Sequence, residues 1–188
     1  MAERNPNVPS LPEKVIAIHE ALRVAKVPHA FGGALALAYY AEPRATIDID
    51  LNVFLPVERW REAIAELEPL GVVVSKLNEA ALLRDGQCRL WWERNPVDLF
   101  FSYDPIHDEM QRHIRRLPFA DETLPFLSPE HLAVCKAMFN RPKDWLDIEQ
   151  MVVASGAQLD LDEVETWLRR MVGPDDLRVQ RISAYRAA

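Results

Sequence analysis

The segment that most constrains the fold runs from Arg44 to Phe54, because it places two carboxylates in an otherwise apolar stretch. Side chains alternate between the faces of a β-strand, so Asp48 and Asp50 are predicted to share one face. The residues between and beside them are predicted to point the other way, into a core: Ile47, Ile49 and Leu51. Adjacent carboxylates repel each other, which indicates that a divalent cation neutralises them. Arg44 is an alternative source of counter-charge.

A third aspartate, Asp98, lies in the strand-like segment Pro96–Phe101, where it alternates with apolar residues. On its own such a residue is more often found on the surface at a strand end. Next to the strand of Asp48 and Asp50, it would complete a cage of three carboxylates. Three aspartates without histidine suit Mg²⁺, and two such ions can stabilise both the attacking and the leaving oxygen of an in-line displacement. We therefore predict Mg²⁺ as the cofactor, as two ions, with Mn²⁺ as an alternative.

Two adjacent glycines, Gly32 and Gly33, lie between a predicted strand at 29–31 and a predicted short helix at 34–40. Glycine allows close backbone approach, and the N–H groups at a helix start bind phosphate. Most glycine pairs are only tight turns, so both interpretations stay open from the pair alone.

Charge and composition restrict the class of protein. The chain has 188 residues and a net charge of −7, which argues against a general nucleic-acid coat protein. No apolar run approaches the roughly 18 residues of a membrane span, and the N-terminus lacks the apolar core of a signal peptide. Cys88 and Cys135 lie in apolar segments and are predicted to be reduced and buried. We predict a cytoplasmic protein with no membrane partner.

The order of the predicted elements indicates an α+β fold, with an α/β unit over residues 1–103 and a helical part over 104–188. Ser10 and Glu13 form a capping box that begins a helix reaching about Lys26. Further helices are predicted at 57–67, 106–115, 142–154 and 160–172, with another starting at Ser128 and a last one after Pro174. Strands are predicted at 47–55, 72–74, 89–92 and 97–102. The residues at 117–127 are predicted to be a Pro-containing connection.

These motifs together resemble the nucleotidyltransferase (polymerase-beta-like) superfamily: Gly32-Gly33, Arg44, Thr46, Asp48-Ile-Asp50 and Pro96-Val-Asp98-Leu. A later segment, from Leu127 through Lys136 and Lys143-Asp144 to Asp147-Ile148, is similar to AbiEii/MenT-type nucleotidyltransferases, which are toxins of bacterial toxin–antitoxin systems. The resemblance covers roughly residues 31–152 and implies a mixed sheet with flanking helices. It also implies transfer of an NMP from an NTP to a hydroxyl acceptor, with release of pyrophosphate. The 3′ end of a tRNA is the implied acceptor, and an antitoxin the implied partner.

The resemblance also assigns roles to individual residues. Asp48, Asp50 and Asp98 would hold the metal ions, and Asp98 could instead activate the incoming hydroxyl. Lys136 and Asp144 would join them as catalytic residues. The remaining residues would bind nucleotide or phosphate: Gly32, Gly33, Arg44, Thr46 and Lys143. The arginines of the last helices would bind the acceptor, although such clusters are more often solvated helix faces.

Several alternatives remain open from the sequence. The acceptor could be a small molecule of the aminoglycoside type, or the chain could be a catalytically degenerate binding protein. Lys136 and Lys143 could be surface lysines, and Asp144 and Asp147 could be acids favoured in the first turn of a helix. Thr46 could be a strand-entry hydroxyl or a phosphorylation site.

Overall fold

The computed structural model describes residues 8–186, which form an α+β fold around a mixed sheet of seven strands. The helices are α1 (Leu11–Val24), α2 (Gly33–Leu37), α3 (Trp60–Leu67), α4 (Lys76–Asp85), α5 (Ile106–Arg112), α6 (Pro129–Phe139), α7 (Pro142–Ser155), α8 (Leu161–Val172) and α9 (Leu177–Arg186). The strands are β1 (His29–Phe31), β2 (Ile49–Pro56), β3 (Val72–Val73), β4 (Gln87–Trp92), β5 (Asn95–Ser102), β6 (Arg115–Phe119) and β7 (Glu122–Phe126). The predicted fold class is confirmed.

The chain packs as two compact units. Of the described residues, the first contains 8–31 and Ile47–Phe126, and therefore the whole sheet. The second contains Gly32–Thr46 and residues 127–186, and therefore α2 and α6–α9. The division of roles between residues 1–103 and 104–188 stays a prediction.

The sheet of the first unit has the strand order β3-β4-β5-β2-β1-β7-β6. β2 pairs with β5 in parallel, and β1 pairs with β7 in parallel, whereas the other neighbours are antiparallel. The central strands β2 and β5 present one apolar face to the core. The side chains of that face are fully buried: Ile49, Leu51, Val53, Val97, Leu99 and Phe101. The capping box at Ser10 and Glu13 is present at the start of α1, as predicted.

Three parts of the first unit differ from the sequence-based expectation. β2 begins at Ile49, and the Ile47 side chain is 59% exposed, so the prediction that Ile47 points into the core is wrong. The stretch at 117–127, expected to be a connection, contains most of the β6–β7 hairpin. Proline removes a ladder donor and argues against a strand, but Pro118 lies on β6 at the sheet edge, where that loss is tolerated. α4 was not predicted, and its residues show weak amphipathic periodicity.

The second unit is built from α2 and α6–α9, and α7 buries one regularly spaced face. Trp145, Ile148 and Met151 of α7 are buried, at positions three residues apart. The guanidinium of Arg181 on α9 lies 4.3 Å from the ring centre of Trp145, so one basic side chain packs on this core. Within residues 8–186, none of the helices has the length and apolarity needed to cross a membrane.

A buried histidine pair joins α1 to β1 in the first unit. The distance between His19 Nδ1 and His29 Nε2 is 2.9 Å, and that between His29 Nδ1 and the Val27 carbonyl oxygen is 2.8 Å. The carbonyl can only accept, so His29 donates from Nδ1 and accepts at Nε2 from His19, with both rings neutral. Burial lowers the pKa of His29 to about 4 and also lowers the pKa of His19.

The histidine pair should make the protein less stable in mild acid. Between pH 6.5 and about 4 the unfolded chain binds a proton at His29 that the folded protein does not, so stability falls as the pH decreases. We expect a loss of about 1.4 kcal/mol per pH unit across this window, about 3 kcal/mol in all. Thermal melts across this range should show a flatter pH dependence for His29→Gln than for the wild type. Equal slopes would contradict a neutral native His29.

Candidate active site

Three aspartates lie on or directly before two adjacent strands of the sheet in the first unit. β2 and β5 run in parallel, with Asp50 in register with Asp98. Asp48 comes one residue before β2, and its charge, like that of Asp50, acts on Arg89 of β4, which pairs with Asp98. All three residues are half-buried, while their neighbours Ile49 and Val97 are fully buried on the other face. The core packing of β2 and β5 thus places Asp50 and Asp98 side by side on the opposite face.

Arg89 on β4 supplies a positive charge to this cluster. It lies opposite Asp98 in the antiparallel register, and its Nε and Nη2 each donate to a different Asp98 oxygen at 2.7 Å. The hydrogen bonds that Arg89 donates to Asp98 raise the pKa of Arg89 strongly, and the charges of Asp98, Asp48 and Asp50 raise it further. We call Asp48, Asp50, Asp98 and Arg89 the acidic cluster.

Sequence reasoning missed Arg89, although a signal was present. The side chains of β4 alternate, with Cys88, Leu90 and Trp92 buried and Arg89 exposed. Trp92 and Asn95 are paired at the ends of β4 and β5. In an antiparallel pair, the residue three before Trp92 therefore lies opposite the residue three after Asn95, which pairs Arg89 with Asp98. A tight hairpin at Glu93-Arg94 would therefore have placed an arginine opposite the third aspartate.

The donor set suits a divalent cation only in part in this conformation. Across residues 8–186, no three His, Cys, Asp or Glu side chains are grouped closely enough to hold a metal ion. Both oxygens of Asp98 accept hydrogen bonds from Arg89 in this conformation. Asp48 and Asp50 offer the hard oxygen ligands that Mg²⁺ prefers. The counter-charge considered from the sequence, Arg44, lies in the second unit and pairs there with Asp147.

Removing Arg89 should make the acidic cluster dependent on added cations. In Arg89→Met the three carboxylates lose this counter-charge, and we expect stability without metal to fall by about 1 kcal/mol, because the pair is partly exposed. Millimolar Mg²⁺ should then raise the melting temperature of the variant more than that of the wild type. Equal shifts in both proteins would show that the cation and Arg89 do not share the same carboxylates. Arg84→Met, which removes a surface pair with Asp85, is the matched control.

A second charged cluster lies inside the second unit. Lys136 Nζ donates to Asp147 Oδ2 at 2.6 Å, and Arg44 Nη2 donates to the same oxygen at 3.1 Å. Lys136 and Asp147 are both buried, with side chains 5% and 6% exposed. Burial acts to raise the pKa of Asp147, but the hydrogen bonds from Arg44 and Lys136 outweigh it and the pKa is lowered. These contacts give Lys136 and Arg44 a structural role, and their predicted roles in catalysis and nucleotide binding stay predictions.

The other predicted site residues also lie in the second unit. Asp144 caps α7 by accepting from the Arg141 backbone N–H at 3.1 Å and from its guanidinium at 2.6 and 2.9 Å. This is the first-turn role that the sequence left open. Lys143 is exposed and Thr46 is half-buried. Gly33 begins α2 with φ of +54°, a conformation that favours glycine. The phosphate contacts assigned to these residues stay predictions.

The arginines near the C-terminus have partners within the second unit. Arg169 pairs with Glu165, Arg178 pairs with Asp176, and Arg186 pairs with both Asp162 and Glu165. Arg170 lies over the ring of Trp167, as Arg181 does over Trp145. Acidic or aromatic neighbours therefore surround the basic side chains from which an RNA-binding surface was predicted.

Comparison with known proteins identifies the fold. No family model matches this chain, and no curated protein sequence matches it. Among solved structures, it is similar to the antibiotic-resistance factor ANT(2'')-Ia in solution, with a TM-score of 0.61 and 17% identity over 85% of this chain and 92% of that one. A crystal structure of ANT(2'')-Ia in complex with adenylyl-2''-tobramycin gives a TM-score of 0.57 and 18% identity, covering 92% and 95% of the two chains. The lincomycin-bound lincosamide adenylyltransferase LnuA gives 0.52 and 14%, covering 77% and 97%. The chain thus has the nucleotidyltransferase fold.

Proposed function

We propose that this protein is a metal-dependent nucleotidyltransferase that moves an NMP from an NTP to a hydroxyl group. The observation that carries the proposal is the register of Asp50 with Asp98 on adjacent parallel strands, with Asp48 two residues before Asp50. Carboxylates gathered on one face of a sheet are suited to binding Mg²⁺ and a triphosphate. The nucleotidyltransferase fold supports the same conclusion.

The proposed reaction uses the aspartates in different roles. An acceptor oxygen forms a bond to the α-phosphorus of the NTP, the bond from that phosphorus to the β-phosphate oxygen breaks, and pyrophosphate leaves. Asp48 and Asp50 would hold Mg²⁺, which supplies charge neutralisation at the phosphates. Asp98 would take the proton of the acceptor hydroxyl as the new bond forms. Arg89 would orient the Asp98 carboxylate through its paired hydrogen bonds.

We favour a small cationic molecule as the acceptor. A net charge of −7 attracts cations and repels polyanions such as RNA. The C-terminal arginines already contact carboxylates or aromatic rings, which leaves them less able to bind RNA phosphates. Structural neighbours that include an aminoglycoside-modifying and a lincosamide-modifying enzyme support this choice.

The 3′ end of a tRNA is the second candidate acceptor. The segment from Leu127 to Ile148, which resembles the AbiEii/MenT-type toxins, is the observation that favours it. In that case the protein would act as the toxin of a toxin–antitoxin system, and an antitoxin would be its partner. This hypothesis requires RNA binding that weakens steeply with added salt.

A label-transfer experiment tests the proposal and separates the acceptors. The protein is incubated with Mg²⁺, each α-³²P-labelled NTP and either a panel of aminoglycosides and lincosamides or total tRNA, beside Asp48→Ala. We expect label on a small molecule with the wild type and none with the variant. Label on tRNA would establish the second candidate and overturn the small-molecule acceptor. Equal background in wild type and variant with every acceptor would contradict nucleotidyl transfer and favour a binding protein.

A further inference from the structure

Lys14 of α1 is completely buried in the first unit, with 0% of its surface exposed. Its Nζ donates to the Trp92 carbonyl oxygen at 3.0 Å, to Glu93 Oε2 at 2.7 Å and to Asn95 Oδ1 at 2.8 Å. An ammonium group has three donors and no acceptor, so these contacts use its full capacity. Lysine is almost never fully buried without partners, and this one is held where β4 turns into β5.

The turn that Lys14 binds is narrowly defined. Glu93 has a φ of +54°, in the left-handed region that side chains other than glycine rarely adopt. The Lys14 ammonium also lies 5.3 Å from the centre of the Trp92 ring. Contacts to a carbonyl, a carboxylate and an amide in three of four consecutive residues therefore fix the turn against α1.

Asn95 connects the buried lysine to the segment that precedes Asp48. The residue is 6% exposed, and its Nδ2 donates to the Ile47 carbonyl oxygen at 2.9 Å. Because Lys14 can only donate, the amide oxygen of Asn95 must face Lys14 and its nitrogen must face Ile47. The buried lysine thus selects the orientation of the Asn95 side chain.

The carbonyl that Asn95 binds belongs to the peptide group joining Ile47 to Asp48. A peptide group is planar, so a hydrogen bond that holds the Ile47 carbonyl oxygen also holds the backbone nitrogen of Asp48. Ile47 lies before the first residue of β2, and its own side chain is 59% exposed. Packing of that side chain therefore contributes little to holding this position.

We propose that Lys14 and Asn95 are positioning residues that set the place of the Asp48 carboxylate through the Ile47–Asp48 peptide group. The inference rests on the proposed function in one respect, since Asp48 is taken to be a metal ligand. Neither residue is assigned a contact with substrate. Removing a residue that orients a metal ligand, without itself touching the metal, typically lowers metal affinity by about 10- to 100-fold.

Asn95→Asp is the sharpest test, because it removes one hydrogen bond and keeps the other. The carboxylate still accepts from Lys14 but cannot donate to the Ile47 carbonyl. We expect Mn²⁺ affinity, measured without nucleotide by calorimetry or electron paramagnetic resonance, to fall by about 10-fold. Amide deuterium exchange over residues 47–50 should become faster. The melting temperature should fall about as far as in Glu93→Gln, because the Ile47 carbonyl loses its donor.

Glu93→Gln is the matched control. It removes the charged partner of Lys14 but leaves the Asn95 amide and its bond to Ile47 in place. We expect a lower melting temperature with wild-type Mn²⁺ affinity and wild-type exchange over residues 47–50. Asn95→Ser, whose side chain is too short to span Lys14 and Ile47, repeats the measurement if Asn95→Asp does not fold.

The outcomes separate this inference from the proposed function. Wild-type Mn²⁺ affinity and wild-type exchange in the Asn95 variant would overturn the positioning role. Failure of the wild type to bind Mn²⁺ would contradict the proposed function, while the exchange measurement would still decide whether Asn95 orders this segment. A fall in metal affinity in Glu93→Gln equal to that in Asn95→Asp would also overturn the inference, because general destabilisation would then explain both.

Discussion

Replacing Asp50 with asparagine is expected to reduce nucleotidyl transfer by about a thousand-fold without unfolding the protein. Asp50 is in register with Asp98 and lies two residues after Asp48, so the loss of its charge weakens the binding of a cation there. A bound metal ion supplies several kcal/mol of charge stabilisation, and each 1.36 kcal/mol is about tenfold in rate. The rate of pyrophosphate release with a working acceptor measures the effect.

Asp85→Asn is the control for this experiment. Asp85 lies at the end of α4 and pairs with Arg84 on the surface. We expect its activity to match that of the wild type, and the melting temperature of Asp50→Asn to stay within a few degrees of the wild type, since removing one of three neighbouring carboxylates relieves repulsion. An Asp50→Asn protein that retains more than a tenth of the wild-type rate would contradict the assigned role of Asp50.

Replacing Lys136 with methionine is expected to have the largest effect on stability. The change leaves the buried Asp147 carboxylate with Arg44 as its remaining cationic partner, and Arg44 is 42% exposed. Breaking a buried ion pair by removing one partner costs about 3 kcal/mol or more. For a chain of this size we expect the melting temperature to fall by roughly 6–12 °C.

The double variant Lys136→Met with Asp147→Leu tests the cause of that loss. It removes the buried carboxylate as well as its partner, and replacing both members of a buried pair with apolar residues is often neutral. We expect it to recover at least half of the lost melting temperature. A double variant as unstable as Lys136→Met would show that packing of the lysine stem, rather than the ion pair, supports α6 and α7.

The parts of the fold predictable from sequence were those governed by local periodicity. Helix starts at Ser10 and Ser128 follow from capping residues, and the α1 and α6 caps form as expected. The alternation in β2 and β5 placed Asp50 and Asp98 opposite buried apolar residues. These features depend on residues only a few positions apart, so the sequence displays them directly.

The errors occurred where long-range contacts override local pattern. Ile47 is apolar and follows the alternation, yet β2 does not begin until Ile49, and the carbonyl of Ile47 is bound by Asn95. The prolines at 117–127 suggested a connection, but Pro118 lies on β6, the strand at the sheet edge, where a missing ladder donor is tolerated. In the sequence, Lys14 resembles any exposed lysine of a helix. Its three acceptors come from the β4–β5 turn, which lies 78 to 81 positions away.

The sequence by itself determined that Asp50 and Asp98 belong to strands with a buried reverse face, because strand alternation and apolar content are local properties. Which side chains surround them was decided by tertiary structure, although a tight β4–β5 hairpin would have indicated Arg89. The register of β4 with β5 brought Arg89 onto Asp98, and the burial of Lys14 turned Asn95 toward Ile47. Folding also joined Arg44 to Asp147, which lie 103 positions apart. Charge pairing at such separations depends on how elements pack, and no local pattern of residues encodes it.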